Sequence, residues 1–163
     1  MAWSASSVFT QFVINPLFVT VTNGTKPTGF TSLTADTIKA ALFNNSATPN
    51  KDDTLANSAY GAGQWVSGNE VTGTGWSAGG QTLSGNAFSN GTGYEQFTAS
   101  TVAATGVTIS NAYGTLVYDS SVSGGTVANQ GICFNYFGGA QSVTAGNFSI
   151  IWNANGIFRV TTT

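Results

Sequence analysis

Asn129-Gln-Gly-Ile-Cys-Phe-Asn-Tyr-Phe-Gly-Gly-Ala-Gln-Ser-Val-Thr-Ala-Gly-Asn-Phe-Ser-Ile-Ile-Trp-Asn-Ala-Asn-Gly-Ile-Phe-Arg-Val160 is the densest run of apolar and aromatic side chains in the chain. Ile132, Phe134 and Tyr136 recur at period two, and so do Phe148, Ile150 and Trp152. That alternation places one row of side chains on one face of a strand. Gly138-Gly139, Gly146 and Asn155-Gly156 punctuate the run where a chain turns most easily. The stretch therefore predicts three successive strands with tight connections, a meander that the earlier segments must cover. Nothing in it looks reactive.

Working outward, residues 101–110 and 112–118 read as two further strands, and 34–43 as another, with Ile38, Ala40 and Leu42 on one side. Residues 73–80 form a turn region built around Trp76, and 44–60 a long polar connection. Residues 64–72 carry Trp65, Glu70 and Val71, and 83–97 are Gly- and Asn-rich with Phe88, Tyr94 and Phe97 spaced out. Residues 18–22 alternate weakly enough for a short strand, and 23–29 have loop composition. The best helix candidate is 4–14, with Ser4 as cap and Val8, Phe9, Phe12 and Val13 at three- and four-residue spacing, stopped or kinked by Pro16. An extended arm competes with it, because those residues are β-branched or aromatic. The expectation is an all-β domain of seven to nine short strands over 17–163, a sandwich, jelly roll or barrel, preceded by a helix or arm over 1–16.

The totals limit the function. One domain of 163 residues, 41% apolar, buries a real core. Only 6% of residues are charged, against about 25% in an average soluble domain. Thr, Ser, Asn and Gly supply the polarity, and such a surface does little to keep copies apart. The four basic residues, Lys26, Lys39, Lys51 and Arg159, are scattered, which argues against nucleic acid and against a membrane surface. No apolar run approaches the ~20 residues of a membrane span. The first nine residues lack the features of a secretory signal, so synthesis and folding in a cytoplasm are expected.

Candidate chemistry is sparse. With no histidine, the Ser-His-Asp and Cys-His arrangements are excluded, and one cysteine makes no zinc site. Cys133 reads as a small core side chain. Glu70 and Glu95 are the only pair of carboxylates that suggests a glycosidase, and two isolated glutamates are no motif. Asp52 and Asp53 lack the spaced ladder of a calcium loop and read as solvated charges. Trp65, Trp76, Tyr60 and Tyr94 suggest a platform for sugar rings, although core packing and subunit contacts explain the same residues without a ligand and are the favoured reading. Asn-x-Ser/Thr triplets at Asn23, Asn44, Asn90 and Asn147 are compositional. No cofactor is implied.

Met1-Ala-Trp-Ser with Ser7-Val-Phe, Asp36-Thr-Ile-Lys-Ala-Ala-Leu-Phe-Asn-Asn, Tyr60-Gly-Ala-Gly-Gln-Trp-Val-Ser-Gly-Asn-Glu-Val71 and Gly75-Trp-Ser-Ala-Gly-Gly80 stand out as sequence segments. They resemble small virion proteins of tailed phages that infect actinobacteria. The likeness is strongest at Tyr113-Gly-Thr-Leu-Val-Tyr-Asp119 and through Gly131-Ile-Cys-Phe-Asn-Tyr-Phe-Gly-Gly to Trp152-Asn-Ala-Asn-Gly-Ile157. Residues 18–32 and 85–94 depart from the pattern. The resemblance implies a non-enzymatic head decoration or minor capsid protein. Its partner would be the major capsid protein lattice, and its site the outer surface of the head. It would self-associate, with a trimer suited to local threefold positions. Trp3, Phe9 and Phe12, then Trp65 and Trp76, are the residues expected to anchor it to the capsid or a neighbour. A minor tail or tail-tip protein is the alternative within the virion. A carbohydrate-binding module reading a host glycan is the alternative outside it.

Overall fold

The computed structural model describes residues 3–17, 32–123 and 127–161, with backbone only for 14–17. Its central element is one long hairpin. Strand β6 (Val102–Asp119) runs antiparallel to β7 (Gln130–Ile150) along its whole length, from Val102 opposite Ile150 to Asp119 opposite Gln130. The remaining elements are β1 (Ser7–Val8), α1 (Thr10–Leu17), β2 (Ile38–Phe43), α2 (Leu55–Ser58), β3 (Gln81–Thr82), β4 (Ala87–Gly91), β5 (Tyr94–Thr98) and β8 (Phe158–Thr161). They form two antiparallel sheets, β1-β7-β6-β2-β3 and β4-β5-β8. The fold is all-β and sandwich-like, and neither sheet closes into a barrel.

The expected meander is corrected here. Residues 130–150 are a single strand, and Gly138-Gly139 and Gly146 do not turn it. Likewise 102–119 is one strand where the sequence suggested two. The physical reason is the β-bulge, which absorbs an extra residue without ending the pairing. Register shifts fall between Ala104 and Val107, between Val107 and Ile109, between Ile109 and Ala112, and between Ala112 and Gly114. Left-handed residues sit at those breaks: Gly106 (φ 64), Asn111 (φ 58), Gly138 (φ 82) and Ala145 (φ 47). Only the Asn155-Gly156 signal is a true turn, closed by a bridge between Asn153 and Gly156, and it sends the chain into the second sheet as β8.

The base of the hairpin is buried on both faces. Gly114 pairs with Tyr136 and Leu116 with Phe134, so these four share one face. Trp3 covers them, and a Cβ at Gly114 would run into the Trp3 ring and the Asn135 carbonyl. On the other face, Asn135 Nδ2 donates to Ile157 O (3.1 Å), which ties the large sheet to the turn that leads into β8. Ile157 N–H in turn donates to Phe97 O (2.7 Å). Covering both faces explains why β2 is buried almost throughout, with only Lys39 partly exposed.

The N-terminal segment combines both expectations. It starts extended, with Ser7 and Val8 pairing to Phe134 and Cys133, and turns helical only at Thr10. The helix Thr10–Leu17 contains Pro16. Trp3, Phe9 and Phe12 belong to the same buried cluster as the sheet residues, so this segment is part of the core. Residues 64–72 are a succession of turns with one bridge, Phe43 to Glu70. The short strand expected at 18–22 and the loop at 23–29 lie outside the described residues.

Candidate assembly surface

The five aromatic side chains expected to anchor a neighbour all face inward. Trp3, Phe9, Trp65 and Trp76 are fully buried and Phe12 nearly so. Trp3 Nε1 donates to Asn44 O (2.9 Å), while its ring meets Trp65 edge-on at 5.8 Å and Phe134 at 6.1 Å. Phe9 packs edge-on against Trp65 and Phe134, Phe12 against Phe158, and Trp76 against Phe148. This corrects the expectation: the rings cover the chain's own sheets. A hairpin with apolar side chains on both faces needs that much cover, and large rings supply it with little conformational entropy to lose.

The sugar platform is corrected for the same reason. Trp65 and Trp76 offer no face to solvent. Tyr94 carries the Arg159 guanidinium 3.4 Å above its ring, and Tyr60 stacks on Tyr118 at 4.6 Å. The two glutamates lie in different sheets. Glu95 is exposed on β5 in the small sheet, whereas Glu70 is bridged to β2 in the large one. Both Glu70 oxygens are engaged, Oε2 accepting from Tyr60 Oη (2.9 Å) and Oε1 from Gly79 N–H (2.7 Å). Burial, reinforced by this bond to the carboxylate, pushes the Tyr60 phenol up to about 12, so it stays neutral. Tyr118 Oη donates to Gly79 O (2.9 Å), and burial raises that phenol too. The network closes the 73–80 turn onto the sheet.

The other candidates are similarly occupied. Asp52 accepts from Thr10 Oγ1 (2.8 Å) and pairs with Lys51, and Asp53 accepts from Gln64 Nε2 (2.9 Å). The hydrogen bonds from Lys51 and Thr10 lower the Asp52 carboxyl below its usual range. Cys133 is buried, and burial raises its thiol, which holds it in the unreactive form.

One surface remains that the sequence reading did not single out. Beyond its pairing with β1, the outer edge of β7 has no strand beside it among the described residues. The 21 residues of β7 include no charged side chain. Beside this edge, Tyr136, Phe137, Phe148, Ile150 and Ile151, together with the polar Gln141 and Ser149, line a groove of about 400 Å³. Ile151 projects from it at 77% exposure, the most exposed large apolar side chain described. Unpaired edges usually carry Lys, Pro or inward charges that discourage a second strand. Here the bulges are the only such device. The signal was present in the sequence as a charge-free run, but it became meaningful only once 130–150 proved to be one strand at an edge. Comparison of the chain with family models, with curated proteins and with solved structures finds no match.

Proposed function

We propose that the chain is a non-enzymatic structural component of a phage virion, a capsid decoration protein that binds the assembled head lattice and reinforces it. The observation that carries this reading is the open, uncharged edge of β7 with the groove of mixed polar and apolar lining and the exposed Ile151 beside it. A strand edge offers a row of backbone donors and acceptors that another strand can complete, and side chains alongside set the register. An interface without charges avoids the desolvation penalty that buried ions would add. Repeated over many copies, such contacts hold neighbouring capsid subunits together. The phage assignment itself is supported by the sequence likeness at 113–119 and 131–157. Glu70, Asp52, Asp53, Tyr60 and Tyr118 are engaged in hydrogen bonds of the fold and Cys133 is buried, which favours a structural role.

The test is reconstitution. Purified protein is added to heads assembled without it and sedimented with them. The proposal expects saturable attachment at a fixed ratio to the major capsid subunit, lost when charges are placed on the β7 edge. Attachment to tails alone, or no attachment, overturns it.

A further inference from the structure

A second surface, remote from the core aromatics, has the chemistry of a ligand site. A groove of about 590 Å³, within the size range of small-molecule pockets, opens between the loop after β2, the Glu70 to Thr72 segment and the Asn111 bulge of β6. Asn45, Thr72, Ser110, Asn111 and Tyr113 are among the residues that line it. Among the described residues, none of these five side-chain amides or hydroxyls has a hydrogen-bond partner in the protein. Each can both donate and accept.

The walls are fixed from behind. Asn44 N–H donates to Asn69 O (2.9 Å), its carbonyl accepts from Trp3 Nε1, and its side chain accepts from Ser46 N–H (2.8 Å). Val71 N–H donates to Leu42 O (2.8 Å). Asn111 is held in the left-handed region (φ 58) while its N–H donates to Ser142 Oγ (3.0 Å). Asparagine tolerates that region better than other non-glycine residues, and the bulge places it there.

We propose that this groove binds a neutral oligosaccharide. The lining explains the class. Unengaged amides and hydroxyls that both donate and accept match the hydroxyls of a sugar. The Tyr113 ring, partly exposed, supplies one flat apolar face for a pyranose. No Lys or Arg lines the groove, so nothing there would hold a phosphate, sulfate or carboxylate. The one charged residue in the lining, Glu70, has both oxygens engaged by Tyr60 and Gly79. Val71 and the Tyr113 ring are too little apolar surface for a hydrophobic ligand. This site differs from the platform of Trp65 and Trp76 suggested by the sequence, and it stands whether or not the protein belongs to a virion.

The experiment is an array of neutral and acidic oligosaccharides probed with fluorescently labelled protein, followed by NMR titration of the strongest neutral glycan. Two variants accompany the wild type. Asn111→Gly removes the amide at a φ that suits glycine, and Thr72→Val removes an exposed hydroxyl at nearly constant shape; thermal melting checks that both stay folded. The expected result is retention of neutral glycans, amide shifts confined to the groove segments, and at least tenfold weaker binding in each variant. Retention of no neutral glycan, retention of acidic glycans only, or binding that both variants leave unchanged overturns the proposal.

Discussion

Asp119→Asn should stabilise the protein at pH 8 and do so much less at pH 4.5. Asp119 ends β6 and is 1% exposed. Its Oδ1 accepts from Ser121 N–H (2.8 Å). The Asp36 carboxyl lies against it, and the two hydrogen-bond only when one of them carries a proton. Burial, joined by the charge and contact of Asp36 and opposed by the Ser121 and Val122 amides, pushes the Asp119 carboxyl up from 3.8 to about 7. The folded pKa is raised, so the associated stability is fully present below about 4 and is lost as pH rises through about 7. A gap of about three units at about 1.4 kcal/mol each sets a ceiling of about 4 kcal/mol. Asp36 is partly exposed, so water relieves some of this, and on the order of 2 kcal/mol is expected. An asparagine at 119 keeps the Ser121 bond and can donate its amide to Asp36. For a domain of this size that corresponds to a melting temperature about 4–8 °C higher than wild type at pH 8. The assay is thermal unfolding of both proteins by circular dichroism from pH 4.5 to 8. Using the difference between them cancels the other carboxylates, including Asp52, whose shift has the opposite sign. An equal difference at both ends of the range, or a loss of stability at pH 8, would refute the reasoning.

Four other outcomes are expected. Trp3→Ala should cost about 3–5 kcal/mol in denaturant unfolding of the isolated protein, because the ring is core; an unchanged midpoint would return Trp3 to the role of external anchor. Gly114→Ala should cost at least about 2 kcal/mol in the same assay, since the added methyl meets the Trp3 ring and the Asn135 carbonyl; a neutral effect would mean that the arm does not pack as described. Gln141→Lys with Thr144→Lys, both exposed on β7, should leave the melting temperature within about 2 °C while reducing head attachment at least tenfold; unchanged attachment would clear the β7 edge of any role. Cys133 should react with a thiol reagent only after unfolding, and rapid reaction of the native protein would contradict its burial.

The sequence made parts of this structure readable and concealed others for identifiable reasons. Period-two alternation at Ile132, Phe134 and Tyr136 marked a real strand, and Asn155-Gly156 a real turn, because both signals are local. Gly138-Gly139 misled because a glycine pair suits a turn and a bulge equally. What chose the bulge was β6, running alongside and keeping the strand paired. The same holds for Asn111, which separated two apparent strands and instead bends one. Trp65 and Trp76 sit in turn-rich segments, where a ring serves as cover or as contact, and only the tertiary arrangement decides. Glu70 was noticed for its charge, yet its partners Tyr60 and Gly79 come from other turns and leave no local trace. Asp36 and Asp119 meet across the β2 and β6 ends, so their pairing was invisible in one dimension. The polar groove combines three separate segments and likewise has no linear signature.

The central claim is that the chain is a structural part of a capsid, and copy number in purified virions tests it most directly. Quantitative mass spectrometry would count the protein against the major capsid protein. Hundreds of copies at a fixed ratio to the capsid subunit is the predicted result. A handful of copies per particle, or none, would contradict it.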